Sequence, residues 1–108
     1  MSAVTDFGIA KKSHDKLLKL FASLPQIERV IIFGSRAMAT HKTGSDIDLT
    51  LIGEQLDTSQ LTRIMSEIDA LSLPYSVDLS ILVSLTNESL LDHISRVGKD
   101  FYRKQKSI

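Results

Sequence analysis

The chain has 108 residues, 13 of them basic and 13 acidic, so its net charge is zero, and it contains no cysteine. That length fits one domain and leaves no room for a catalytic domain plus a separate substrate domain. The charge balance removes any bulk attraction to nucleic acid or to an anionic membrane, and the missing cysteine excludes a disulfide scaffold and a thiolate metal site.

Residues 1–12 show little periodicity and read as an N-terminal arm, which places the domain over 13–108. The start lacks the layout of a secretion signal, and no apolar run approaches the ~20 residues of a membrane span, so a soluble cytoplasmic protein is expected. From Ser13, read as an N-cap, Leu17, Leu20, Phe21 and Leu24 recur at helical spacing up to Pro25. Val30-Ile31-Ile32-Phe33 then reads as a buried strand closed by Gly34, a residue free to take unusual backbone angles. Ser35 reads as the cap of a short helix over 36–39. Free N–H groups at such a start, beside a small hydroxyl, make a place for phosphate oxygens.

The next run, Asp46-Ile47-Asp48-Leu49-Thr50-Leu51-Ile52, alternates strictly. It puts Asp46, Asp48 and Thr50 on one face of a strand and Ile47, Leu49 and Leu51 on the other. Carboxylates two residues apart on a strand start from Cα atoms roughly 6.5 Å apart and can converge on a hard cation that takes oxygen ligands. After Gly53, Leu61, Ile64, Met65, Ile68 and Leu71 form a second helical stripe, with Thr58 as its cap and Met65 as core. Tyr75–Val83 is a third strand in which Val77, Leu79 and Ile81 face one way and Asp78 the other. Leu90, Leu91, Ile94 and Val97 complete the pattern as a last helix, starting near Thr86 or Asn87 and weakened at Gly98. Strands interleaved with helices imply an α/β (α+β) domain with helices flanking a small sheet.

A Gly-Ser pair alone is ordinary turn chemistry. Asp48 and Asp78 are different, because aspartate is depleted inside apolar strands and costly to bury without a partner. If their strands pair, Asp46, Asp48 and Asp78 meet on one surface beside the Gly34-Ser35 turn. Arg36 can reach a phosphate or be simply solvated. His41 and Lys42 lie in the polar loop, His14 and His93 fall on helices without ligand spacing and read as surface or interface residues, and Tyr75 either stacks on a base or packs under the sheet edge.

Gly34-Ser35, ten residues, Asp46-x-Asp48, and a later Asp78 in an apolar strand resemble the polymerase-β-like nucleotidyltransferase superfamily. The wording Gly34-Ser35-Arg36-Ala37 before Gly44-Ser45-Asp46-Ile47-Asp48-Leu49 looks like the minimal nucleotidyltransferases (MNT), the short antitoxins paired with HEPN-domain toxins. The likeness runs from about Val30 to Tyr102, and one departure is Ala39, where many relatives carry glycine. The resemblance implies a mixed sheet and a nucleoside triphosphate substrate, with Asp46, Asp48 and Asp78 as catalytic and metal-holding residues for two magnesium ions. It implies that Gly34, Ser35 and Arg36 bind the nucleotide. It also implies a Mg-dependent protein adenylyltransferase that moves AMP from ATP to a tyrosine of a HEPN partner, with which it would form a hetero-oligomer. Transfer to a small molecule, or an antitoxin that only binds, are the alternatives.

Overall fold

The computed structural model describes residues 4–105. Its elements run α1 (Lys11–Ala22), β1 (Arg29–Phe33), α2 (Gly34–Ala37), β2 (Ile47–Ile52), α3 (Thr58–Ala70), β3 (Val77–Ile81), a 3-10 turn at Leu82–Ser84, α4 (Glu88–Val97) and β4 (Lys99–Arg103). The four strands form one sheet in the order β3-β2-β1-β4. β1 runs antiparallel to β2 and to β4, whereas β2 and β3 are parallel, so the sheet is mixed as expected.

The alternation in the strands sorts the sheet into two faces. Val30, Ile32, Ile47, Leu49, Leu51 and Leu79 join Leu17 and Phe21 of α1 and Ile64 and Ile68 of α3 in the main core. On the opposite face Ile31 and Phe33 pack under Ile94 of α4. Burying a large aliphatic or aromatic side chain contributes about 1.5–3 kcal/mol, so the first face carries most of the stabilisation and the second has room for polar groups. Asp57 caps α3 by accepting the Gln60 N–H at 2.9 Å, one residue earlier than Thr58, and Asn87 caps α4 by accepting from Leu90. Met65 is 44% exposed rather than core, because α3 turns that position outward.

Both chain ends hold more structure than the periodicity indicated. Where it is described, the stretch before residue 13 is packed rather than a loose arm: Ile9 is fully buried in the main core, and Val4 bridges Ala10 around a turn closed by Thr5 and Ile9. The helix therefore starts at Lys11 after Ala10, and Ser13 is buried inside its first turn instead of capping it. At the other end a strand follows the last helix. Gly98 permits this because a side chain there would collide with the Ile94 carbonyl and with Ile31, so only glycine lets β4 close onto β1. Among the described residues no helix is long and apolar enough to cross a membrane.

Candidate active site

Register builds the site. Phe33 on β1 stands opposite Asp48 on β2, and Asp48 stands opposite Asp78 on β3, so the three side chains form one row across the sheet. They share the face that holds α4, away from the main core. Asp46 lies one residue before β2, exposed, on the same side as Asp48 by the period of two. Asp48 is the half-buried member, and its carboxyl is held above the ordinary range. Burial is the larger cause, the neighbouring charges of Asp78 and Asp46 add to it, and His93 works the other way.

The Gly34-Ser35 turn abuts this row. Gly34 has φ +74°, a conformation that side chains disfavour, and a Cβ there would run into Asp48 Oδ2. The glycine is thus what lets the turn lie against the carboxylate. Helix α2 begins at Gly34 itself and has no side-chain cap, so Ser35 is not the expected N-cap; its hydroxyl stands within the first turn. The Gly34 N–H is already committed, donating to His93 Nε2 at 3.1 Å.

His93 is the residue that sequence reasoning missed. It sits on α4, packs edge-to-face on Phe33, and reaches the motif across 59 positions of chain. A lone histidine without ligand spacing carries no signal of that contact; its only trace is the helical phase that puts it one residue before the buried Ile94.

Arg36 corrects another expectation. It is 2% exposed, and its guanidinium donates to Ser45 O at 2.9 and 3.1 Å and to Phe7 O and Gly8 O, each at 3.1 Å. Its face lies over the Tyr75 ring, and the Tyr75 hydroxyl accepts the Ala10 N–H. Buried and with four hydrogen bonds to carbonyls, Arg36 ties the motif loop to the N-terminal segment rather than reaching out to a phosphate. Tyr75 packs inward as part of that tie.

The loop between the two halves of the motif is closed on itself. Ser35 O accepts from Thr40 N, the Lys42 N–H donates to the Ser45 hydroxyl at 2.8 Å, and Ser45 N returns to Lys42 O. His41 lies against Gly8, where no side chain would fit, and Lys42 is exposed. Ala39 has φ +60° and so holds the left-handed conformation with a Cβ in place.

Three carboxylates facing one region, one of them pushed toward its neutral form, are a donor set suited to a hard cation. Among the described residues no three His, Cys, Asp or Glu side chains already converge as a ligand cluster. The aspartates share one face without closing a ligand shell.

Sheet, turn and acidic row together make one candidate site on a small α/β domain. Residues 15–107 match the family described as Polymerase beta, Nucleotidyltransferase, and the chain belongs to that family. Among solved structures, a toxin–antitoxin complex with AMP-PNP contains a chain 26% identical to this one, with a TM-score of 0.66 over 85% of this chain and 74% of that one. A mutant of the MntA-HepT toxin–antitoxin gives 27% identity and a TM-score of 0.65 over 84% and 72%. A tri-AMPylated Shewanella oneidensis HEPN toxin in complex with MNT antitoxin gives 23% and 0.62 over 87% and 72%, a likeness of fold alone. No curated protein matches the sequence significantly.

Proposed function

We propose that this chain transfers AMP from ATP to a hydroxyl of a protein partner, a tyrosine of a HEPN-domain toxin, and so acts in the cytoplasm as its antitoxin. The observation that carries the reading is the row Asp48–Asp78 beside the Gly34-Ser35 turn. Membership of the nucleotidyltransferase family and the likeness to a toxin–antitoxin complex with AMP-PNP support the same direction.

Asp46, Asp48 and Asp78 would hold magnesium, and the fit that argues for it is the Asp48 carboxyl, raised by burial first and then by the neighbouring charges of Asp78 and Asp46. When bound, the metal would neutralise charge developing on the transferred phosphoryl group. Ser35 orients the triphosphate through its hydroxyl and N–H. The acceptor oxygen attacks the α-phosphorus, the bond to the bridging oxygen of the β-phosphate breaks, and pyrophosphate leaves. Asp78, the exposed carboxylate on the edge strand, takes the proton from the attacking hydroxyl. The acceptor is supplied in trans by the partner, the direction that the likeness to a toxin–antitoxin complex supports.

The test mixes the chain with a HEPN toxin, ATP and magnesium and follows the partner by mass spectrometry. Gain of AMP on a tyrosine with wild type, and no gain with the Asp46→Asn, Asp48→Asn double variant, is the expected result. If the double variant silences the toxin as fully as wild type at substoichiometric amounts, transfer is not the mechanism. Modification of added small alcohols but not of the toxin would move the acceptor to a small molecule.

A further inference from the structure

The motif turn is held from outside itself. The Gly34 N–H belongs to the start of a helix, where no intrahelical acceptor exists, and His93 Nε2 provides one at 3.1 Å. The ring nitrogen that accepts here carries no hydrogen, so it is the Nε2 lone pair of His93 that holds the amide. The ring is fixed on two sides: edge-to-face against Phe33, with centroids 6.2 Å apart and planes at 80°, and through the adjacent Ile94, buried on β1.

The turn it holds has no slack. Gly34 lies so close to Asp48 Oδ2 that a Cβ would overlap it, and Ser35 follows immediately. Any movement of the Gly34 amide therefore changes the gap between Ser35 and Asp48. We infer that His93 is a positioning residue for the nucleotide site, fixing the Gly34-Ser35 peptide against Asp48 so that phosphate donor and carboxylate keep one spacing. The inference rests on the reading of this surface as a nucleotide site. It makes α4, otherwise only a cover for Ile31 and Phe33, the element that sets the geometry of the phosphate-binding turn.

The experiment compares wild type, His93→Ala, His93→Phe and His93→Gln with magnesium and either ATP or adenosine by calorimetry, and reads Gly34 amide exchange by NMR. Phenylalanine keeps the packing on Phe33 and removes only the acceptor, so it serves if alanine unfolds. Glutamine places an acceptor oxygen at similar reach. Alanine and phenylalanine should weaken ATP about tenfold, the scale of one hydrogen bond, leave adenosine unchanged, and accelerate Gly34 exchange, while glutamine restores most of both. Equal losses for ATP and adenosine would reduce His93 to a structural role and overturn the inference. Tighter ATP binding would overturn it too, since the ring would then be withholding the amide from phosphate. If wild type binds no ATP with magnesium, the nucleotide reading itself fails. Gly34 exchange then decides separately whether His93 holds the turn: acceleration in the variants supports that, and unchanged exchange refutes it.

Discussion

Asp48 and Asp78 stand directly opposite each other across the parallel β2–β3 pair, on one face of the sheet. Neither has a basic side chain hydrogen-bonded to it among the described residues, so the Asp78 charge adds to the cost of ionising Asp48.

That cost is measurable. A carboxyl raised above its ordinary value, as Asp48 is by burial and then by Asp78 and Asp46, binds its proton more tightly when folded than unfolded. Stability then falls as pH rises from about 3.9 through the raised value, and the full penalty applies above it. In metal-free buffer Asp48→Asn should melt above wild type at pH 7, and the gap should close as pH falls to about 4. Magnesium with ATP should raise the melting temperature of wild type only. A variant that melts below wild type at pH 7 refutes the cost of holding Asp48 ionised in the fold.

Arg36→Lys separates a tie from a phosphate ligand. One ammonium cannot serve the three carbonyls that the guanidinium fork reaches. The expected loss is about 2–4 kcal/mol without any nucleotide, or a fall in Tm of roughly 10–25 °C. Unchanged melting with weakened ATP binding would return Arg36 to the phosphates.

Ala39→Gly should stabilise the protein. At φ +60° alanine bears about 1–2 kcal/mol of left-handed strain, offset by the ~0.4–1 kcal/mol that glycine adds through unfolded-chain entropy. The net gain, on the order of 0.5–1 kcal/mol, is readable by urea denaturation. A loss would mean that the loop is not held in this conformation.

Ile9→Ala tests whether the N-terminal segment belongs to the fold. Removing a fully buried isoleucine should lower stability by about 2–5 kcal/mol, whereas a loosely attached arm would lose almost nothing. The denaturation midpoint decides between them.

The pairing of Asp48 with Asp78 was legible because each stands inside an apolar strand, and the mixed sheet was legible through the family wording around them. What escaped reading depended on distance. His93 reaches Gly34 from another helix, and Arg36 spends its charge on carbonyls of Phe7, Gly8 and Ser45, none of which leaves a periodic mark. Lys99–Arg103 hid as a strand because charges at both ends suit a sheet edge as well as they suit a solvated tail. Ser13 misled for a related reason: a hydroxyl before an apolar stripe looks like a cap, yet the helix had begun two residues earlier, so Ser13 was turned inward.

The sheet order β3-β2-β1-β4 also sets a timetable. β1 is complete in the chain by Phe33, but one of its two edges stays unpaired until Arg103 has been made. During synthesis the acidic row on β2 and β3 precedes the strand that closes the sheet. A ribosome stalled before residue 99 would therefore present an apolar strand with an open side, and a chaperone that shields extended segments would find its target there.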